Sequence, residues 1–325
     1  MGAGTPIQWC DDTVNPVSGC SGCELWLPEQ GIRKCYAGTY TEAKAGKAGF
    51  RDRFTQKFLE PKLFPGRIAR AAKASDLSGK ARAKKPWIEG ARRLIFVSDM
   101  GDALSPKDAM DSDDRPLGEG VPFKYLYEEI VLSGALSEKG QRHIWLWLTK
   151  YPARMAEFSR WLAQEKSTEW PPNLWPGTSV TSPATLNRVQ RITEIGAREQ
   201  TRFLSIEPLW GDVAVDLEPA LRSNEASNWW FIIGGESKQG QDEVSEFRLE
   251  WASGLISLAQ SVGAALFLKQ IGARATLNGV HHRTRDSHGG DWSEWPAHLR
   301  VRQIPNSAYP PRTTNRAPRS RRKQD

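Results

Sequence analysis

The chain is 325 residues long, 39% hydrophobic and 26% charged, enough to bury one large core or two smaller ones. No run of 18 apolar residues occurs, which excludes a membrane-spanning helix, and no basic-then-apolar leader opens the chain, so the cytoplasm is the expected compartment. The net charge of +7 is uneven: residues 41–93 carry fifteen basic and five acidic side chains, residues 312–325 carry six basic and one acidic, and the rest is net acidic.

In chain order, Ile7-Gln8-Trp9 reads as a short strand that runs into the turn residues Asp11-Asp12 and Asn15-Pro16. It feeds a loop that holds Cys20, Cys23 and Cys35, spaced by two and eleven residues. With Cys10 these are all the cysteines of the chain. Three thiols clustered in sequence suit zinc, an iron–sulfur cluster or a redox dithiol, because thiolate is a soft ligand. A disulfide framework is disfavoured without a secretory signal. Cys10 reads as a buried small hydrophobe, with a fourth metal ligand or a hydrogen-donating thiol as alternatives.

Helical spacing follows over 36–47 and, through Phe54, Phe58, Leu63 and Ile68, over 54–74, where Pro61 and Pro65 should break or kink it. The basic segment 41–93 reads either as a solvated helix face or as a nucleic-acid footprint. Residues 75–90 read as an exposed linker.

From residue 92 a repeated grammar sets in. Apolar runs at 94–97, 143–148, 174–180, 202–206, 229–233 and 265–268 alternate with helical stretches at 123–136, 152–164, 183–195 and 247–262. Continuous rather than alternating apolar runs predict strands buried on both faces, hence a parallel sheet covered by helices. About seven βα units predict a partial or full (βα) barrel over 1–275, with a doubly wound sheet as the alternative. Residues 276–309 read as a C-terminal extension. The Pro- and Arg-rich stretch 310–325 reads as a disordered basic tail.

In a barrel, chemistry sits at the carboxyl ends of the strands. Those ends carry Asp99 and Asp102, Thr149 and Lys150, Ser179, Glu207, Gly234-Gly235-Glu236-Ser237 and Lys269. Glu207 is a candidate general base or ligand-ribose acceptor, or an ion-pair partner of Lys150 or Lys269. Trp145, Trp147, Trp229 and Trp230 read as core, and His281, His282 and His288 as loop histidines. No phosphate-binding loop, dinucleotide fingerprint or zinc-protease motif occurs.

Eight ordered blocks carry a resemblance. They are Ile7 to Cys20, Cys35-Tyr36-Ala37, Phe96 to Asp102, Leu148 to Met155, Pro172 to Val180, Phe203 to Leu209, Ile233 to Ser237 and Phe267 to Gly272. Together they resemble an uncharacterised, phage-associated family that looks like the radical S-adenosylmethionine (SAM) superfamily. Gly19-Cys-Ser-Gly-Cys-Glu-Leu-Trp26 is similar to its three-Cys-motif type, often encoded beside a partner protein.

The resemblance implies a βα barrel in which Cys20, Cys23 and Cys35 hold three irons of a 4Fe-4S cluster. It also implies SAM at the fourth iron, an electron donor, and reductive cleavage to a 5'-deoxyadenosyl radical that modifies a nucleic acid or the partner protein. Asp99, Thr149, Ser179 and Glu236 are the implied cofactor-binding candidates, and Cys10, Glu207 and Lys150 the catalytic ones. Two departures stand out: the superfamily spacing is commonly three and two, and its Gly-Gly-Glu element normally follows the second strand. The reading from a different class is a noncatalytic, zinc-stabilised nucleic-acid-binding protein in which Cys10 completes a site of four thiolates.

Overall fold

The structure is a computed structural model, and it describes residues 4–224, 228–238 and 243–308. The predicted tail over 310–325 lies outside the described residues. Seven strands form the main sheet: β1 (Asp12–Val14), β2 (Leu94–Val97), β3 (Ile144–Thr149), β4 (Leu174–Ser179), β5 (Thr201–Ile206), β6 (Asn228–Gly234) and β7 (Ala265–Gln270). They pair in sequence order and all in parallel. The order never reverses, so no switch point of a doubly wound fold exists. β1 and β7 are the two edges, and the curled sheet is a half-barrel.

The apolar runs are continuous because successive residues enter two different layers. Ile95, Val97, Trp145, Trp147, Trp229 and Phe231 pack outward under the helices. Leu94, Phe96, Ile144, Leu146, Trp230 and Phe267 face the concave side. At the cysteine loop α1 (Tyr36–Lys44) packs Ala37 into a separate small cluster with Cys20, Trp26, Phe58 and Met100, and the outer layer is completed by α2 (Arg67–Ala72), α3 (Phe123–Leu126), α4 (Pro152–Lys166), α5 (Asn187–Thr193), α6 (Ala214–Arg222) and α7 (Leu249–Val262). After α3 the chain continues in π winding from Tyr127 to Ala135. Pro152 opens α4 in the first turn, where the missing N–H leaves no bond unmade.

Three expectations need correction. Ile7 to Trp9 is no strand; β1 begins at Asp12. Trp9 instead plugs the concave side, its ring 4.6 Å from Phe96 and 6.0 Å from Trp230. Burying a large aromatic there outweighs the local preference for extended pairing. The stretch 54–74 is helical only over Arg67–Ala72, because Pro61 and Pro65 bracket Lys62–Leu63, which pairs with Val17–Ser18. The linker 75–90 is not simply exposed. The Arg82 side chain is buried and grips Asp11 at 2.7 Å, Lys85 donates to the Thr5 carbonyl at 2.9 Å, and Trp87 donates to the Gln8 carbonyl.

The extension after 275 joins the same body. Ala275–Leu277 pairs with Phe247–Arg248 and with Val280–His281, and Ile304 and Ala308 enter the concave layer. Among the described residues no helix is long and apolar enough to cross a membrane.

Candidate functional site

The carboxyl ends of the strands surround an open cavity of about 810 Å³. Its wall contains Cys20, Cys23, Cys35, Asp99, Thr149, Lys150, Ser179, Glu207 and Glu236, every predicted site residue except Cys10. Cys10 is fully buried in the concave apolar layer beside Trp9 and Phe96. Burial raises its thiol well above the ordinary range. The structure does not bring it to the other three.

The cysteine loop reaches this wall because it follows β1 and is tied down around the rim. Gly19 bridges Gly101 just beyond β2, its N–H donating to the Met100 carbonyl at 3.1 Å while its carbonyl accepts from Asp102 N–H at 3.0 Å. Tyr151, just beyond β3, donates its hydroxyl to the Gly22 carbonyl at 2.5 Å and stands 3.9 Å from the Cys20 sulfur. Glu24 receives both arms of the Arg188 guanidinium at 2.8 Å from α5 and the Thr181 hydroxyl at 3.2 Å from just past β4. Lys34 donates to Glu236 at 3.1 Å and to Ser245 at 2.8 Å. Each anchor joins segments more than 80 residues apart in sequence, except the short Trp26–Leu27 and Ile32–Arg33 hairpin inside the loop.

Electrostatics follow burial. All three thiols are raised, with desolvation the largest cause, so they are neutral thiols until a metal displaces the protons. Opposing this, Gly22 N–H faces the Cys20 sulfur, Leu25 N–H faces Cys23, and the Ala37 and Gly38 amides in the first turn of α1 face Cys35. Burial also pushes Lys150 down, yet the negative charge of Cys23 and Cys35 in their thiolate form, with that of Glu24 and Asp102, outweighs it and holds the ammonium above the usual range. Its Nζ donates to the Ser179 hydroxyl at 3.2 Å.

Asp102 is buried and accepts from the Thr149 hydroxyl and the Lys150 and Leu104 amides at 2.8 to 2.9 Å. Desolvation raises it, and raises Asp99 too, against hydrogen bonds from Asn15 and Thr13. Burial pushes the Glu24 carboxyl up, but the bound Arg188 and the nearby Lys150 outweigh this and bring it down to about 2. Glu207 pairs with Lys269 rather than Lys150. Glu236 is held by three donors on one oxygen, Lys34, Trp210 at 2.9 Å and the Ser245 amide at 3.3 Å. It therefore latches the loop to the end of β6.

Three thiols on one cavity wall, each faced by backbone N–H groups and two of them beside an ammonium, fit an anionic thiolate-ligated cluster with an open side. Among the described residues no group of three or more His, Cys, Asp or Glu side chains is already drawn together as a cage for a single metal ion. Fit therefore rests on the donor set and its surroundings. Sequence reasoning missed the anchors Tyr151, Arg188 and Lys34. Glu24 abuts Cys23 and could have been singled out; nothing local marks Arg188 as its partner.

A family model described as a protein of unknown function (DUF5131) matches residues 4–296. Among curated proteins and among solved structures nothing matches the chain.

Proposed function

We propose a function for a chain that belongs to the DUF5131 family, whose description assigns none: a radical-SAM-type iron–sulfur enzyme of the half-barrel. The observation that carries this reading is the meeting of Cys20, Cys23 and Cys35 with the strand-end polar residues around one cavity. These three cysteines would hold the cluster, leaving one coordination position for the amino and carboxylate groups of SAM. When bound, the cluster would supply a single electron, drawn from a low-potential one-electron donor, for the reductive cleavage of SAM to methionine and, with a hydrogen atom from substrate, 5'-deoxyadenosine.

The chain's own residues orient and enclose. Asp99, Thr149, Ser179 and Glu236 line the wall with hydrogen-bonding groups for the amino acid and ribose parts of SAM. Lys150 balances the charge of the thiolates. The Glu207–Lys269 pair, which also lines the cavity, would hold or move a proton on the substrate. The covered concave layer below excludes water.

Anaerobic reconstitution followed by iron, sulfide and zinc analysis tests the reading. About four irons and four sulfides per chain, lost when any of Cys20, Cys23 or Cys35 is changed to Ala but kept in Cys10→Ala, together with 5'-deoxyadenosine from SAM and dithionite, is expected. One tightly held zinc and no SAM cleavage would overturn it.

A further inference from the structure

We propose that the mouth of the cavity is a single-stranded nucleic-acid surface and that the substrate is a nucleobase turned into the cavity. What is done to the base rests on the radical-enzyme reading; its capture does not. Tyr36, the first residue of α1, lines the cavity yet is 56% exposed. Its ring stacks on Tyr40 with centroids 5.9 Å apart and planes at 28°. Tyr40 is backed edge-on by Phe54 at 5.9 Å, so the outer face of Tyr36 is a supported, solvent-facing platform. A base stacks on such a platform whatever its identity.

Cations lie on the segments that back the platform. Lys44 lies 6.0 Å from the Tyr40 ring, and the turn that carries Phe50 and Phe54 also carries exposed Lys47 and Arg53. Of the acids near it, Glu42 is taken by Arg33 and Glu60 by Lys57, Asp99 acts on Tyr36 from the cavity wall and accepts from Asn15 at 2.5 Å, and Asp52 is exposed. The balance favours phosphate.

The floor supplies the second, independent observation. Trp9 and Ser98 are each more than nine-tenths buried, both line the cavity, and neither the Trp9 indole N–H nor the Ser98 hydroxyl has a hydrogen-bond partner. Ser98 holds this place with a φ of 74°, a backbone conformation a serine rarely adopts. Two unmatched donors at the base of a pocket call for a ligand with acceptors on its edge, as the carbonyl oxygens and ring nitrogens of a nucleobase provide. Reaching them from a polymer requires a single strand or an extruded base.

The test uses the full chain as purified, with no cluster or SAM needed, and a labelled single-stranded oligonucleotide of roughly ten nucleotides in ribo and deoxyribo forms carrying one 2-aminopurine. Binding should change the 2-aminopurine emission. Tyr36→Ala should weaken affinity about ten-fold and abolish the emission change, while Tyr36→Phe retains both. Changing Lys44, Lys47 and Arg53 together to Gln should lower the slope of log affinity against log salt by about 2.

Ser98→Ala should reduce the emission change while leaving the salt slope intact. Binding that heparin displaces fully, with no emission change and no dependence on Tyr36, would show only the basic residues 312–325 at work and overturn the proposal. No binding at all would overturn it in favour of a protein substrate. Failure to assemble an iron–sulfur cluster would leave these readouts unaltered, so the two proposals fail separately.

Discussion

Replacing Gly101 by Ala probes the seam on which the site depends. A Cβ built at Gly101 would lie 2.4 Å from the Gly19 carbonyl oxygen and 2.6 Å from its nitrogen, contacts that side-chain rotation does not relieve because both atoms are backbone. Gly19 has no room to retreat, since the Phe58 carbonyl oxygen and Thr55 stand about 3 Å from the corresponding position on it. The cysteine loop must therefore lift from β2, breaking the Gly19-to-Met100 and Asp102-to-Gly19 hydrogen bonds at 3.1 and 3.0 Å.

At about 1 kcal/mol net for each, and more where a buried partner is left unpaired, the cost is about 2–4 kcal/mol. Urea denaturation reads this as a lowered midpoint at unchanged slope, and iron uptake after anaerobic reconstitution should fall with it. Gly254→Ala, in α7 with only the Ala214 methyl at 3.5 Å, is the control and should stabilise by about 0.5–1 kcal/mol. A Gly101→Ala protein as stable as the parent would refute the argument that this seam is rigid.

The remaining predictions concern anchors and core. Because the folded Glu24 carboxyl is depressed to about 2 from an ordinary 4.3 or so, its stabilisation is present above that ordinary value and is lost as pH falls toward about 2. Glu24→Gln should cost about 1–2 kcal/mol at pH 7 after allowance for solvent screening, and the difference from the parent should shrink on acidification in paired denaturation curves. Arg202, 1% exposed, donates to the Ile192, Ile195 and Ala197 carbonyls at 2.7 to 3.1 Å, closing the carboxyl end of α5 where unpaired carbonyls and the helix dipole favour a cation. Arg202→Met should lower stability by about 3 kcal/mol in the same assay. Cys10 should resist thiol reagents until the protein unfolds, and Cys10→Ala should cost about 1 kcal/mol without altering bound metal.

Six of the seven strands were legible because each is buried on both faces, which writes an uninterrupted apolar run into the chain; Ile144 to Leu148 and Trp229 to Ile233 are the plainest cases. The rim was legible for a related reason. Once parallel βα units are recognised, every strand's last polar residue is known to share one end, so Asp99, Thr149, Ser179, Glu207 and Glu236 could be grouped without coordinates. Proline and the short Lys62–Leu63 pairing defeated the helical reading of 54–74, since a local period says nothing of the distant partner strand Val17–Ser18.

What the sequence alone determined was the parallel sheet from residue 94 onward, its order of polar ends and the thiol loop ahead of them, all of which rest on local periodicity and chain direction. Only the tertiary structure decided that Trp9 is a plug rather than a strand, that Arg82 and Lys85 are drawn in from a linker, and that Cys10 stands apart from the other thiols. It also decided which partners fix the cysteine loop: Arg188 to Glu24 across 164 residues and Tyr151 to Gly22 across 129. Such pairings depend on how the sheet curls and which rim positions it brings face to face, and no local pattern in either partner encodes that distance.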